Sequence, residues 1–223
     1  MGLHDWFLFI RKKGYNPTLL YLSGLPSLTT GNRRFDVMAN CFQVIQRAYS
    51  NQNLPPDAAH RILETEIKRF GNPHNMVLYI DGGQAEEKSN TAKTRDAARQ
   101  KALDKTEASV NVFETRLSDG KRIRKRHFID IKAGFKSAFY WSLPSRQEYA
   151  NYMQRLGWTV IVAGTEADLA IAVDAGDNDI VISKDSDILA YQSVKTLWRP
   201  ISNNRVLVYK IPDILAILGI SRT

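Results

Sequence analysis

The sequence predicts an α/β domain with a mostly parallel central sheet and helices on both of its faces. Three observations carry this. Apolar runs of strand length recur along the chain. Helical patterns separate them, giving a β-α-β-α order. A chain of 223 residues holds one such domain with a full core and leaves no room for a second independent one.

The elements follow in order. Residues 33–37, around Phe35 and Val37, make a weak strand candidate. Residues 39–50 then read as a helix with Phe42, Ile45 and Tyr49 on one face, and residues 57–70 as a second helix with Ile62, Ile67 and Phe70 inward. Met76-Val-Leu-Tyr-Ile80 is a strand closed by the turn Asp81-Gly82-Gly83. A helix over 145–156 opens with Ser145 as its cap and Glu148 three residues on, a capping-box pattern. Trp158–Val162 is a strand ending at Ala163-Gly164, and a helix opening at Thr165 follows over 165–176. Ile180-Val-Ile182 is a short strand that runs into Ser183-Lys-Asp-Ser-Asp187. Arg205–Tyr209 is a further strand, with Pro212 at the start of a closing helix.

Residues 103–143 interrupt the alternation. They are basic, contain the turn Ser118-Asp119-Gly120, and then carry Phe128, Phe135, Phe139, Tyr140 and Trp141. They read as an insertion standing over the carboxyl edge of the sheet, or as an ordinary long helix pair.

Composition removes several classes. The one apolar run near the start, Trp6 to Ile10, is too short to span a bilayer and has no small-residue cleavage site after it; no other stretch reaches membrane length. The single cysteine, Cys41, excludes an internal disulfide and a cysteine-rich zinc site. An intracellular protein is expected. Lys plus Arg number 31 against 23 Asp plus Glu, a net charge of +8. The excess is local: residues 116–126 hold six basic residues and one acid. Such a stretch suits a polyanion partner, and equally a solvated basic helix and loop.

The acids lie elsewhere. Asp36 ends the weak strand, Asp81 ends the strand at 76–80, Glu166 and Asp168 begin the helix after the strand at 158–162, and Asp185 and Asp187 follow the strand at 180–182. Ligands of open parallel sheets bind beyond the carboxyl ends of the strands, so these six carboxylates are expected to meet at one edge. Each alone has a plainer reading: Asp81-Gly82 as a turn, Glu166 as an acid favoured by a helix amino terminus. Together they repel one another unless cations neutralise them. All are oxygen donors, and none of the four histidines lies beside them, which favours Mg²⁺ or Mn²⁺ over zinc. Two such ions roughly 4 Å apart would activate a water and stabilise the leaving oxygen of a phosphoryl displacement.

Several segments resemble the flap endonuclease and XPG group of structure-specific nucleases. The chain opens Met1-Gly2-Leu3; Asp36-Val-Met-Ala-Asn-Cys-Phe42 resembles the first acidic motif, and Tyr79-Ile-Asp81-Gly82 the second, with Lys88 and Arg95 following at the family's spacing. Gly164-Thr-Glu166-Ala-Asp168 is similar to Gly-x-Glu-Ala-Glu, and Ile182-Ser-Lys-Asp185-Ser-Asp187 to the Ser-x-Asp-x-Asp motif. The resemblance runs nearly end to end, loosely over 103–143. It implies a single PIN-like nuclease domain over 1–223, with 103–143 as a basic, arch-like insertion that threads or clamps a single strand. It implies that Asp36, Asp81, Glu166, Asp168, Asp185 and Asp187 hold two Mg²⁺ ions, with Mn²⁺ as a substitute, and that Asp81 and Asp185 are catalytic together with Lys88 and Arg95. Lys88 and Arg95, which share a helix face, would grip the scissile phosphate. Arg99 would contact a neighbouring phosphate, Phe42 would stack on a base or else pack in the core, and Gly2 would lie near the substrate. The family continues into a helix–two-turn–helix element that grips duplex DNA; the present sequence stops at Ile211–Thr223, where that element would begin.

The expected activity is therefore metal-dependent hydrolysis of phosphodiester bonds in flap, branched or single-stranded nucleic acid, as an endonuclease or 5′-exonuclease, with DNA favoured over RNA. The alternative is a non-catalytic PIN-like scaffold that binds RNA or protein. Lys121, Arg122, Arg124, Lys125 and Arg126 read as a phosphate-binding patch or as a nuclear localisation signal, which favours a nuclear protein.

Overall fold

A computed structural model of the chain describes residues 5–24, 31–51, 54–83, 89–202 and 204–220. In chain order the elements are α1 (Trp6–Lys12), β1 (Thr18–Tyr21), β2 (Arg33–Asp36), α2 (Val37–Tyr49), α3 (Pro56–Lys68) and β3 (Met76–Ile80). They continue with α4 (Ser89–Ser118), α5 (Lys125–Ala138), α6 (Leu143–Arg155), β4 (Thr159–Val162), α7 (Ala167–Asp174), β5 (Ile180–Ile182), β6 (Thr196–Ser202), β7 (Arg205–Lys210) and α8 (Ile211–Leu218). Among the described residues no helix is long and apolar enough to cross a membrane.

The strands form one sheet in the order β1-β7-β6-β5-β2-β3-β4. The run β6-β5-β2-β3-β4 is parallel, and β7 and β1 are added antiparallel at one side. The chain builds outward from β2 through β3 to β4, then returns to lay β5 on the other side of β2. That reversal is a topological switch point, where a crevice opens beyond the strands' carboxyl ends.

Both faces of the sheet are covered, as expected. On β3, Met76, Leu78 and Ile80 pack into the core beneath α2, α3 and α6, while Tyr79 packs into the opposite core with α1, α7 and α8. Burial on both faces is why this strand reads as an unbroken apolar run. On α2 the buried stripe is Val37, Cys41, Ile45 and Ala48. Phe42, expected on that face, is turned outward and 42% exposed, with its ring edge-on to Phe139. On α3, Leu63 is fully buried where Ile62 was expected inward.

Helix α6 begins earlier than its sequence pattern suggests. Its cap is Ser142, whose hydroxyl accepts from the Ser145 N–H at 3.3 Å, so Ser145 lies inside the first turn. Pro144 fits there because first-turn N–H groups have no partner within the helix.

The basic segment is a helical hairpin of α4 and α5, joined at the turn containing Gly120. It starts at Ser89 rather than near 103, and α5 ends at Ala138. Its seam is close: Gly134 sits where a Cβ would strike the Thr106 hydroxyl, and Phe113 meets Phe128 edge-to-face at 5.0 Å. The hairpin leaves the sheet after the carboxyl end of β3 and returns at the amino end of α6. Gln46 of α2 ties its foot through a hydrogen bond to the Lys136 carbonyl at 2.6 Å.

Candidate active site

The six acids stand beyond the ends of four adjacent parallel strands. Asp36 is the last residue of β2, Asp81 follows β3, Glu166 and Asp168 open α7 after β4, and Asp185 and Asp187 follow β5. Asp36 feels the charges of Asp81 and Asp185, and Asp81 feels those of Glu166 and Asp168. The Tyr191 hydroxyl in turn feels Asp168, Glu166 and Asp187. Mutual repulsion thus links five of them, and Asp187 adjoins the group through the Tyr191 hydroxyl.

Asp36 sits deepest. Its Oδ1 caps α2 by accepting the Ala39 N–H at 2.9 Å, and its Oδ2 accepts the Ser183 hydroxyl at 3.0 Å. Burial, together with Asp81 and Asp185, lifts its carboxyl to about 7 despite these donors. Asn40 fastens the crevice floor, donating to the carbonyls of Asp36 and Ile182 at 2.7 Å each. Ser183 also accepts the Asp185 N–H at 3.0 Å, and Asp185 Oδ1 accepts the Asp187 N–H at 3.0 Å.

Asp81 faces the start of α7 and accepts the Ala167 N–H at 2.7 Å. Burial raises its carboxyl above the ordinary range, and Glu166 and Asp168 add to this; Ala167 and the charge of Arg146 oppose it. The two acid-bearing loops zip together, with the Gly82 N–H donating to the Thr165 carbonyl at 2.8 Å. A Cβ on Gly82 would run into the Ala163 carbonyl oxygen, so the Asp-Gly pair is needed for this approach as well as for the turn. Beneath it, Arg146 is 7% exposed and donates to the carbonyls of Trp141, Asp81 and Gly82 at 2.9, 3.0 and 3.0 Å. Asp168 accepts the Leu169 N–H at 2.8 Å and the Tyr191 hydroxyl at 3.1 Å. Burial and Asp168 push the Tyr191 hydroxyl up to about 12, so it stays a donor.

Among the described residues no three histidine, cysteine, aspartate or glutamate side chains are gathered tightly enough to hold one metal ion. The acids line an edge rather than close a cage. Their chemistry nevertheless suits a hard divalent cation. Every donor is a carboxylate oxygen, and Asp36 and Asp81 are held above their ordinary range, first by burial and then by neighbouring acids, a strain that a bound cation would relieve.

The basic residues divide. Lys88 and Gly2 lie outside the described residues. Arg95 is exposed on α4. Arg99, one turn further, pairs with Asp96 and stacks over the Tyr140 ring at 4.6 Å. Lys121, Arg122, Arg124, Lys125 and Arg126 are exposed at the hairpin turn and the start of α5. Lys184, within the last acidic motif, donates to the Asn40 carbonyl at 3.0 Å. Arg146, Asn40 and Tyr191 were not singled out by sequence pattern, and Tyr140 stood only as one of a run of aromatic residues. No local signal marks the bonds that matter for the site, because Ile182, the Asp81-Gly82 turn and Asp168 lie far along the chain from Asn40, Arg146 and Tyr191.

The whole chain aligns with solved structures. The catalytic core of Rad2 in complex with DNA substrate aligns over 99% of this chain and 58% of its own, with TM-score 0.57 and 19% identity. The fold is that of the Rad2 catalytic core. Human GEN1 in complex with Holliday junction DNA aligns over 99% of this chain and 47% of its own, with TM-score 0.53 and 13% identity. The chain thus spans roughly half the length of these structures. No protein-family profile and no curated protein matches the sequence.

Proposed function

We propose that the chain is a divalent-metal-dependent nuclease that hydrolyses phosphodiester bonds in flap, branched or single-stranded nucleic acid. The observation that carries this is the row of six carboxylates beyond four parallel strands, with Asp36 and Asp81 held above their ordinary range. Asp36, Asp81, Glu166, Asp168, Asp185 and Asp187 would hold the ions, Mg²⁺ or Mn²⁺, as a pair. Bound there, such ions supply charge neutralisation, an activated water and stabilisation of the leaving oxygen. Lys88 and Arg95 grip the scissile phosphate, and Arg99 a neighbouring one. Phe42, turned outward on α2, offers a ring for a base to stack on. The exposed cations Lys121 to Arg126 attract the strand electrostatically, and the hairpin clamps it. That Rad2 and GEN1 were solved with DNA favours DNA over RNA as the substrate.

The test is metal-dependent cleavage across flap, single-stranded and duplex DNA and RNA, with Asp185→Asn as control. Cleavage that needs Mg²⁺ and disappears in Asp185→Asn supports the reading; cleavage untouched by that change sinks it. Calorimetry separates the alternative, a non-catalytic PIN-like scaffold, which would bind no Mn²⁺ at millimolar concentration.

A further inference from the structure

We propose that Tyr191 is a positioning residue for Asp168: its hydroxyl, 3.1 Å from Oδ2, fixes the orientation in which that carboxylate serves the site. The inference rests on the metal-dependent reading above and adds a residue to it.

Asp168 stands in the first turn of α7, and its two oxygens are held differently. Oδ1 accepts the N–H of the next residue, Leu169, at 2.8 Å, a bond any aspartate could make locally. Oδ2 depends on a residue 23 positions away. Tyr191 comes from the loop after the 3-10 turn Asp187–Ala190, which itself begins with an acid of the site. The hydroxyl therefore joins the acid-bearing loop after β5 to the acid-bearing helix after β4. The loop is firmly seated. Ile188 and Leu189 are buried against the α7 side of the sheet, the Val194 N–H donates to the Tyr191 carbonyl at 3.2 Å, and Ser193 donates to the Ala172 carbonyl at 2.6 Å. A hydroxyl on so fixed a loop restricts a carboxylate that would otherwise rotate about its side-chain bonds. Donors behind a metal-holding carboxylate commonly change metal affinity by about 10–100-fold.

Tyr191→Phe removes the hydroxyl and keeps the ring, which borders a surface cavity of about 470 Å³ between Val173 and Lys195. Three measurements are made on the full chain: Mn²⁺ affinity by calorimetry, thermal unfolding in chelator, and cleavage rate against Mn²⁺ concentration. The expected result is Mn²⁺ binding weakened about 10-fold, an unchanged unfolding temperature in chelator, and a cleavage rate largely restored at saturating Mn²⁺. In an Asp168→Asn background the same change should do nothing further, because the partner it acts through is already altered. Equal Mn²⁺ affinity in wild type and Tyr191→Phe overturns this inference alone. A large loss of stability in chelator also overturns it, by showing a merely structural hydroxyl. A wild type that binds no Mn²⁺ removes both this inference and the nuclease reading.

Discussion

The Ser183 hydroxyl donates to Asp36 Oδ2 at 3.0 Å and accepts the Asp185 N–H at 3.0 Å, so one fully buried oxygen ties β2 to the acidic loop after β5. Ser183→Ala leaves a buried carboxylate oxygen and a backbone N–H without this partner. Unfolding in urea should show a loss of about 2 kcal/mol. The missing donor should also raise the Asp36 carboxyl further, so activity should require more Mg²⁺. An unchanged midpoint and an unchanged Mg²⁺ requirement would show that the bond has no effect.

Asp36 itself makes metal-free stability depend on pH. Its folded carboxyl sits at about 7 against an ordinary 3.8. The folded state therefore holds a proton that the unfolded state has released, and stability falls as pH rises from about 4 to 7. At about 1.4 kcal/mol per pH unit, the full effect is of order 4 kcal/mol. His60 acts the other way: burial lowers its pKa, so its contribution is lost as pH falls below the unfolded value. Comparing wild type with Asp36→Asn in chelator cancels His60. The variant should be the more stable of the two above pH 7, and the gap should close by pH 4. Parallel stability curves would contradict the shift.

Arg146 makes the strongest prediction about architecture. Its guanidinium serves three carbonyl oxygens, two of them in the Asp81-Gly82 turn, and lies 5.5 Å from the Tyr140 ring. Arg146→Ala leaves buried carbonyls without donors and should reduce stability by about 3 kcal/mol or more. Arg146→Lys keeps the charge but not the fork, and should recover only part of this. Both variants should reduce kcat/KM, since the turn that carries Asp81 loses its support. Wild-type melting and turnover in Arg146→Lys would show that charge alone suffices.

What was legible in the sequence was local. β3 and β5 announce themselves as apolar runs because both faces are buried, β4 because its apolar side chains are partly covered on both faces, and their acids follow directly because the chain leaves each strand at the same edge. β6 was missed because Arg199 and Pro200 break its pattern, with Pro200 lying where the ladder with β7 shifts register. β1 is four residues long and mostly exposed, so little burial shaped its composition. The start of α4 was hidden because that helix packs chiefly on α5 and carries no sustained apolar stripe. Arg146 and Tyr191 act through partners 65 and 23 residues away, which no spacing rule connects. Phe42 shows the converse: its helical spacing from Ile45 and Tyr49 suggested a shared inner face, while the smaller Cys41 took the buried position.

The hairpin turn should govern how strongly affinity depends on salt. Arg122, Arg124 and Lys125 are exposed there, so changing all three to Gln should alter stability by less than about 0.5 kcal/mol each. If each contacts a phosphate of a single strand, each releases bound counterions, and log affinity falls against log salt by about 0.7 per contact. The triple variant should therefore bind a single-stranded oligonucleotide more weakly at low salt, with a salt slope shallower by about 2. Affinity would converge with wild type as salt rises, because the counterion-release gain of the three wild-type contacts shrinks at high salt. Lys68 is the control: it pairs with Glu64 at 2.7 Å on α3, away from the hairpin, and Lys68→Gln should leave the slope unchanged. Fluorescence anisotropy across a salt series measures both. Parallel salt lines for wild type and the triple variant would exclude the turn from the nucleic-acid interface and leave its charge as a solvated surface.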